Sequence, residues 1–577
     1  MISLSRALLA EQDFSQLINR IDGGGCPVVY SGLGGIHKAH VAAAIRRITS
    51  RPVFVICADE AEAEKLRADI SVLCQEEVFR LMRRELSFYN VDSVSREAEH
   101  ERIRVLSMLS CGTAGVVVAT VEGMLTRTIP KAVFQTSSLT LRCGDEPGIS
   151  SLCEKLLACG YRRCDQVEGT GQFAVRGGIV DFYSPSFSFP VRCEFFGDEI
   201  DSMGLFDVST QRRLENIFQV DILPCAESLP SLCCGGEAAF AERLEKLIEK
   251  QKRRKNPNEQ FISSLSSDLE RLRSQLPLST ADRYMPLIYD SLETAANYIP
   301  ESAVVILSEP ARIEERGKNF VWQLSQDLEA LLSSGVMDGS LSECFIGWPD
   351  CCSVLENYPI VMLDNFLGSS YPVAPRALLN LTAKQLPSYG GSIQTAAGDI
   401  VHYLRENYRV IVLCSDNRKA EILNEYLSDH KLPCGIDYNL SALPAAGTCA
   451  ISVGVLSAGM EYPDTRLAII TEGQLSSARG VTGKSKSKKT SNRARLQSYT
   501  DLARGDLVVH EHHGIGRFEG IFKLQVDGVY KDYIKISYAG SDCLYVPATQ
   551  LELVSKYICS GGEDHSVRLN RLGGTEW

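Results

Sequence analysis

The chain has 577 residues, of which 44% are hydrophobic and 23% charged, and its formal net charge is −12. A chain of this length exceeds what one hydrophobic core supports, so we expect several domains. The negative net charge argues against a protein whose main role is to bind nucleic acid, although one basic stretch can still contact nucleic acid locally. No uninterrupted apolar run reaches the ~20 residues of a membrane span, and the N-terminus lacks a secretory signal. We therefore expect no membrane partner.

The 20 cysteines are scattered along the chain, and several lie in apolar runs such as VFVIC and VIVLC. This usage is typical of cysteine acting as a small hydrophobe in a reducing cytoplasm. Because no C-x-x-C pair occurs, the sequence predicts no structural zinc site. We therefore expect a cytoplasmic protein that holds no metal.

Residues 1–145 alternate strand-like and helix-like segments, which is the pattern of a parallel sheet covered by helices. A glycine-rich turn, SGLGGIHKAH, follows the first strand, where a phosphate-binding loop would lie. Gly32 and Lys38 match the motif G-x-x-x-x-G-K-[ST], but His37 replaces the second glycine and Ala39 replaces the magnesium-binding hydroxyl. Because a phosphate cradle needs both, the turn indicates a helix start in a nucleotide-free domain.

Residues 146–228 form a β-rich unit that interrupts the alternating pattern. In its run VRCEFF, the two-residue period of a strand puts Arg192, Glu194 and Phe196 on one face. Val191, Cys193 and Phe195 lie on the opposite, apolar face. If the apolar face is core, Phe196 is an exposed aromatic beside an arginine, a common composition for a binding hot spot. The alternative is that both faces are covered and Phe196 is a core residue.

The rest of the chain contains three further segments and a linker. Residues 229–375 return to helices and strands and are expected to complete the first sheet, and residues 385–475 have the pattern of a small α/β domain. Residues 476–497 are rich in Lys and Arg without any acid, which predicts a flexible linker with at most a transient phosphate contact. Residues 498–565 contain short strands of the kind that build a small SH3-like barrel.

No catalytic motif is present in this pattern. His510 and His512 would share a strand face, but no third ligand stands at a suitable spacing for a metal. The sequence has no nucleophile elbow, no H-E-x-x-H motif and no intact phosphate-binding loop. Residue chemistry alone therefore predicts a multidomain interaction protein.

Two stretches resemble a known family closely. RGGIVDFYSP and FPVRCEFFGDEIDS, within Gly171–Arg212, are similar to the inserted domain that UvrB shares with the Mfd family, the bacterial transcription-repair coupling factors. LVVHEHHGIGRFEGI and CLYVPATQLELVSKY, within Asp506–Tyr557, resemble the RNA-polymerase-interacting module of that family, which is related to CarD-type regulators. The final LNRLGGTEW resembles the segment that precedes the family's ATP-driven DNA translocase.

The resemblance implies an α/β multidomain fold. A UvrB-like α/β module would comprise residues 1–145 and 229–375, with an inserted UvrA-binding domain at 146–228. A small α/β domain at 385–475 would precede an SH3/Tudor-like, CarD-like β-barrel at 498–565, and residues 566–577 would begin the linker to a translocase. The DNA-clamping hairpin of UvrB would fall near Phe88–Glu97, where the stretch FYNVDSVSRE is too short for it.

The resemblance also implies two sets of binding residues. In the family, the inserted domain binds UvrA, the damage-recognition ATPase of nucleotide excision repair, through two arginines and a phenylalanine. These positions match Arg176, Arg192 and Phe196, of which the last two lie on the face that the strand period defines.

The polymerase module of the family docks an edge strand onto the β subunit of RNA polymerase, which is a β-augmentation mode of binding. The matching positions are Lys523, Leu524 and Gln525, with Leu524 as the apolar contact. The sequence leaves open which strand of the module is the edge.

The expected function is that of an adaptor that joins stalled RNA polymerase to UvrA. The translocase of the family would follow Trp577, so we expect this chain to bind without hydrolysing ATP. It would need no cofactor, since ATP and Mg²⁺ act in the translocase, and it would contact DNA at most weakly, through the basic linker. The alternatives are an ATP-dependent enzyme of the UvrB/helicase type and a CarD-like transcription regulator without a repair role.

Overall fold

The computed structural model describes residues 2–472 and 493–557, except 87, 89–94, 256, 275, 277, 279, 391, 496–503, 511–513, 527–528, 540–541 and 548–553. The chain divides into two compact units, residues 1–476 and 477–577. Most of Phe88–Glu97, most of the predicted linker 476–497 and all of the segment 566–577 lie outside the described residues. None of the described helices is long and apolar enough to cross a membrane.

The first unit begins with the predicted alternation of helices and strands. Its first helices are α1 (Ile2–Ala7), α2 (Gln12–Asp22), α3 (Gly35–Thr49), α4 (Glu60–Cys74), α5 (Glu97–Ser110), α6 (Val121–Leu125) and α7 (Lys131–Ser137). Its first strands are β1 (Val28–Ser31), β2 (Val53–Cys57), β3 (Val78–Leu81), β4 (Val116–Thr120) and β5 (Arg127–Thr128).

The inserted β-rich unit follows. Its strands are β6 (Leu139–Arg142), β7 (Arg162–Arg163), β8 (Gln172–Arg176), β9 (Ile179–Phe182), β10 (Val191–Phe196), β11 (Glu199–Phe206), β12 (Arg213–Ile217) and β13 (Gln219–Ile222), and its helix is α8 (Ile149–Ala158). Strands β6 and β13 pair with each other, so the unit starts at Leu139, before the expected boundary at residue 146.

The α/β pattern then resumes. The next elements are α9 (Gly236–Lys252), α10 (Glu259–Arg273), α11 (Met285–Ile288), β14 (Glu293–Thr294), β15 (Val304–Ser308), α12 (Pro310–Ser333), α13 (Trp348–Leu355), β16 (Ile360–Leu363) and β17 (Ala377–Asn380). They are followed by β18 (Lys384–Leu386), α14 (Ile393–Arg405), β19 (Arg409–Cys414), α15 (Asn417–Asp429), β20 (Cys434–Ile436), β21 (Cys449–Val453), β22 (Gly459–Tyr462) and β23 (Leu467–Thr471).

The first sheet is a seven-stranded parallel sheet in the order β17-β1-β16-β15-β2-β4-β3. Strands β15 and β16, which follow the insertion, lie between β1 and β2, which precede it. Residues 229–375 therefore contribute β15 and β16 to the first sheet, and β17, which begins just beyond residue 375, forms its edge next to β1. Its strands β1, β2, β4 and β15 are buried along their whole length, as expected for a parallel sheet covered by helices on both faces.

Helix α3 is buried from Ile36 to Ile45 without interruption. One side of the helix faces the seven-stranded sheet, and the other faces β22 in a six-stranded sheet ordered β18-β22-β23-β19-β21-β20. A helix that is buried all round is typical of a position between two layers. Residues 384–471, which the sequence presents as a separate small domain, therefore share one continuous core with the first sheet.

Buried hydrogen bonds made by His40 and Asp69 connect these layers. The Nδ1 atom of His40 lies 2.7 Å from the Tyr462 hydroxyl, and its Nε2 atom lies 3.1 Å from the carbonyl oxygen of Leu4. Because a carbonyl oxygen only accepts, Nε2 carries the proton and the Tyr462 hydroxyl donates to Nδ1. Asp69 on α4 accepts hydrogen bonds from the backbone N–H and the hydroxyl of Ser457, at 2.7 and 2.6 Å.

A buried network of charges joins the inserted unit to the α/β module. The Glu227 carboxylate is fully buried and accepts hydrogen bonds from Arg102 Nε, at 2.8 Å, and from the Thr128 hydroxyl. Arg84, which is 3.9 Å from Glu227, donates to Asp282 at 2.5 Å. Breaking one partner of a buried pair typically costs about 3–5 kcal/mol, so this junction is a fixed attachment for the inserted unit.

The second unit contains one sheet in the order β24-β29-β25-β26-β27-β28. Its strands are β24 (Arg493–Arg495), β25 (Leu507–His510), β26 (Gly514–Val526), β27 (Val529–Ser537), β28 (Cys543–Pro547) and β29 (Val554–Tyr557). Alternate residues such as Val508, Ile534 and Ile536 form its small core. This antiparallel arrangement of short strands agrees with the predicted barrel-like module.

We predict that the layers around α3 weaken in acid because His40 must stay neutral. Burial lowers the pKa of His40 to about 4, whereas the unfolded chain takes up the proton near pH 6.5. The free energy of unfolding should therefore fall as the pH drops from about 6.5 to about 4, by up to about 1.4 kcal/mol per pH unit for this group. Urea titrations that follow hydrogen exchange in α3 measure the effect.

The variant His40→Asn removes the titrating group, so the pH dependence of α3 protection should become shallower by up to one proton. His402→Asn, on the exposed surface of α14, is the matched control and should leave the dependence unchanged. An unchanged slope in His40→Asn would contradict the assignment.

Candidate functional site

Strand β10 has the two faces that its period predicts. Val191 and Cys193 are fully buried in the core of the inserted unit. Phe196 is 83% exposed on the opposite face. The alternative interpretation of Phe196 as a core residue is therefore wrong, and the unit presents a large aromatic side chain to solvent beside arginines.

Asp181 on β9 organises the arginines of this face. Its buried carboxylate accepts two hydrogen bonds from Arg192, from Nε at 2.7 Å and from Nη2 at 2.9 Å, and one from Arg176 Nη2 at 3.2 Å. A bidentate pair fixes the plane of a guanidinium, and the Arg192 guanidinium also lies 4.6 Å from the centre of the Phe206 ring. Arg192 is therefore held rigidly, with 18% of its side chain exposed.

The register of the sheet places Arg176 and Arg192 in adjacent rows of one face, and Phe196 follows Glu194 by two residues on the same strand. Arg192 lies opposite Asp181, and in the next row Glu194 and Arg176 both lie opposite Ile179. The Arg176 side chain is 50% exposed, so its guanidinium can still reach a ligand. The structure thus brings the predicted residues of the inserted unit to one face of one sheet.

The face contains two residues that the sequence analysis missed. Asp181 interrupts the apolar run IVDFY, and the two-residue period could have placed it opposite Val180 and Phe182. Arg213 on β12 crosses Gly204, where a Cβ atom would come within 2.3 Å of Arg213 Nε. No local pattern in the sequence reveals this long-range contact.

We call the surface formed by Arg176, Arg192, Glu194, Phe196 and Arg213 the Phe196 face. Glu194 accepts a hydrogen bond from the Ser202 hydroxyl at 3.0 Å and pairs with Arg213 at 3.4 Å. The exposed ring of Phe196 can enter an apolar pocket of a partner protein, while Arg176 binds a carboxylate of the same partner. The chemistry of this face is therefore that of binding, and no nucleophile and base lie together on it.

The glycine-rich turn after β1 has internal partners in place of a phosphate. Gly32 has a φ of +82°, and a Cβ atom there would come within 2.2 Å of the Leu381 carbonyl oxygen. The buried Lys38 ammonium pairs with the carboxylate of Glu309, which follows β15. Burial, together with a hydrogen bond to Glu309, raises the pKa of Asp364 to about 6. Carboxylates therefore neutralise the lysine at the carboxyl edge of the sheet, where ligands bind in related architectures.

The predicted polymerase-binding residues lie on β26 of the second unit. Lys523, Leu524 and Gln525 pair with Asp532, Lys531 and Tyr530 of β27. On the other side of β26, strand β25 pairs only with residues 514–517. Among the strands that the structure describes, the Leu524 segment thus has a neighbour on one side only, which leaves its other hydrogen-bonding edge available.

Two exposed aromatic side chains lie on this sheet, Phe522 on β26 and Tyr545 on β28. Phe522 and Tyr545 are 40% and 42% exposed, and the Lys535 ammonium lies 5.5 and 5.9 Å from the centres of their rings. Of the predicted histidine pair, only His510 belongs to the described residues, on β25. The described part of the chain contains no group of three potential metal ligands.

Three family models match separate parts of the chain. The UvrB interaction domain matches residues 139–227, which include the whole Phe196 face. The D3 domain of MFD matches residues 404–475, and the CarD-like/TRCF RID domain matches residues 502–558, which include β26 and its neighbours β25 and β27. The first of these matches begins at Leu139, where β6 begins.

Curated relatives match the chain over its full length. The transcription-repair-coupling factor of Bacillus subtilis (strain 168) is 30% identical over 587 residues, which cover 100% of this chain and 49% of the relative. The factor of Staphylococcus aureus (strain MRSA252) is 28% identical over 585 residues, with the same coverage of both chains. The chain therefore spans about half the length of these relatives.

A solved structure titled XPD_Helicase aligns with 78% of this chain and 81% of its own, at 11% identity and a TM-score of 0.20. A likeness this weak carries no argument. The resemblance rests instead on the three domain matches in chain order and on the relatives that match the whole chain. On these findings, the chain is similar over its full length to transcription-repair-coupling factors, of which it spans about half the length.

Proposed function

We propose that this chain is the binding platform of a transcription-repair-coupling factor, which joins the β subunit of RNA polymerase to UvrA. The observation that carries the proposal is the presence of two separate binding surfaces on one chain. One is the Phe196 face, within the match to the UvrB interaction domain. The other is the half-paired strand β26, within the match to the CarD-like/TRCF RID domain.

The geometry of the Phe196 face supports UvrA as its partner through Arg176, Arg192 and Phe196. A binding hot spot usually combines an aromatic or arginine anchor with surroundings that exclude water. The Phe196 ring is exposed, and Arg192 is already fixed by Asp181 before any partner arrives. Such preorganisation supports affinity because little side-chain freedom is lost on binding.

The free edge of β26 supports polymerase binding by strand addition. Lys523, Leu524 and Gln525 lie in the part of β26 that has β27 on one side and no described strand on the other. Main-chain hydrogen bonds along such an edge supply affinity, and alternate side chains supply specificity. A CarD-like regulator acting on transcription alone would use this edge but not the Phe196 face, so UvrA binding separates the two functions.

In this proposal the chain acts without hydrolysing ATP and without a cofactor of its own. The ammonium of Lys38, the lysine of the degenerate loop, forms an ion pair with Glu309. Helix α3, on which Lys38 lies, is buried against the six-stranded sheet. In this proposal ATP, Mg²⁺ and strong DNA binding belong to the part of the relatives beyond this chain, and the protein acts in the bacterial cytoplasm.

Phe196→Ala should weaken the binding of UvrA by at least about tenfold, which is about 1.4 kcal/mol, because the substitution removes the apolar anchor and leaves the fold intact. Titration calorimetry of the purified chain against UvrA, without ATP, measures the change. Phe218→Ala is the matched control, since Phe218 is 80% exposed in the same unit but lies outside the Phe196 face.

Equal affinities of Phe196→Ala and the parent chain would exclude this face as the UvrA site. Charge reversal at Arg176 should weaken binding similarly. Reversal at Arg192 would also place a carboxylate against the buried Asp181, so its effect must be read together with a thermal melt of the variant.

Leu524→Arg should abolish capture of the polymerase β subunit, because a charged side chain would have to be desolvated at the apolar contact of the added strand. A pull-down with tagged β subunit measures the loss, and UvrA binding by the same variant should be unchanged. Arg517→Glu, in the part of β26 that is paired on both sides, serves as the control. Equal loss of both partners would indicate misfolding of the variant.

The purified chain should release no phosphate from ATP above background, with or without DNA. A radiolabelled phosphate-release assay decides this against the alternative of an ATP-dependent enzyme of the UvrB/helicase type. Lys38→Ala identifies the source of any signal, because turnover by a contaminant survives this substitution. Turnover that requires Lys38 would overturn the assignment of the chain as a pure adaptor.

A further inference from the structure

The segment that runs from the last turn of helix α9 into the turn before α10 carries a dense group of cations. Its sequence, KQKRRK, contains the residues that we call the basic tip, namely Lys250, Lys252, Arg253, Arg254 and Lys255. All five side chains are exposed, and that of Arg253 is 80% exposed. In a chain with a net charge of −12, this concentration of positive charge is a local feature that the overall composition conceals.

Only part of this charge is neutralised by the protein. Glu249 pairs with Arg253 at 3.2 Å, and Asp338 pairs with Arg254 at 2.7 Å. Lys250, Lys252 and Lys255 form no ion pair within 4.0 Å among the described residues. The basic tip therefore presents an excess of three positive charges to solvent.

Contacts with Asp338 and Asn258 hold the backbone around the basic tip in place. The buried Asp338 carboxylate, which binds Arg254, is itself held by hydrogen bonds from the backbone and the hydroxyl of Ser340, at 3.1 and 2.7 Å. Asn258 caps helix α10 and packs so closely on Gly335 that a Cβ atom there would clash with its amide. Lys250 and Lys252 stand on helix α9, and Lys255 follows Arg254, which Asp338 holds, so the lysines extend from defined positions.

Helix-dipole stabilisation accounts for only part of this pattern. Cations in the last turn of a helix interact favourably with its C-terminus, by about 0.3–1 kcal/mol each, which applies to Lys250 and Lys252. Lys255, however, lies beyond the end of α9. The nearest aromatic residue that follows, Phe261, is buried, so the turn offers no ring on which an unpaired base could stack.

We propose that the basic tip binds the phosphate backbone of duplex DNA. Lysines act as point charges on phosphates, and a duplex carries one negative charge per about 1.7 Å of its axis, a density that matches closely spaced cations. Phosphate contacts position a protein on DNA without reading its sequence. The basic tip is thus a sequence-independent DNA contact, separate from the Phe196 face and from β26.

Fluorescence anisotropy with a 24-base-pair duplex, over a series of salt concentrations, tests the proposal on the complete 577-residue chain. The variant K250Q/K252Q/K255Q should bind at least about tenfold more weakly at low salt. Each lost phosphate contact lowers the slope of log K against log salt by about 0.9, so the slope should fall by about 2.7. The same substitutions should also act in a chain whose linker lysines 484, 486, 488 and 489 are Gln.

K65Q/K318Q/K431Q is the matched control, because it removes three exposed lysines elsewhere and changes the net charge equally. It should leave both affinity and salt slope unchanged. Three results would overturn the proposal: no duplex binding at 50 mM salt, equal effects of the two triple variants, or tighter binding to single-stranded RNA of the same length. Unchanged melting temperatures of the variants exclude loss of fold as the cause.

Discussion

The burial of helix α3 between two sheets is the constraint on which the first unit depends. The helix has no solvent-facing stripe between Ile36 and Ile45, so neither sheet can withdraw without exposing apolar surface. The buried His40–Tyr462 hydrogen bond adds a specific polar contact in the same layer. As a result, the parallel sheet and residues 384–471 behave as one body, to which the inserted unit is attached.

The same burial explains the chemistry at the start of α3. A helix that follows the first strand of a parallel sheet ordinarily presents its N-terminus to a phosphate. Here Lys38 is neutralised by Glu309, and Gly32 lies against the chain at Leu381. The groups at this edge of the sheet are thus held by contacts within the chain.

The Phe196 face and the basic tip share a physical design, in which binding groups are fixed before a partner arrives. Asp181 holds Arg192 and Arg176 beside the exposed ring of Phe196, and Asp338 holds the basic tip through Arg254. In each case a buried carboxylate orients arginine without exposing its own charge. Rigid surfaces of this kind suit a platform, because partners then bind with a small entropic cost.

The sequence by itself determined the class of each element, the exposed row on β10 and the departures from a phosphate-binding loop, because each depends on residues close in the chain. It also supplied the motifs that resemble those of transcription-repair-coupling factors. Only the tertiary structure decided that residues 384–471 share a core with the first sheet, that Asp181 holds the arginines of the Phe196 face, and that the Leu524 segment pairs with β27 alone among the described strands. These features depend on contacts between distant residues and on strand register, which local periodicity does not encode.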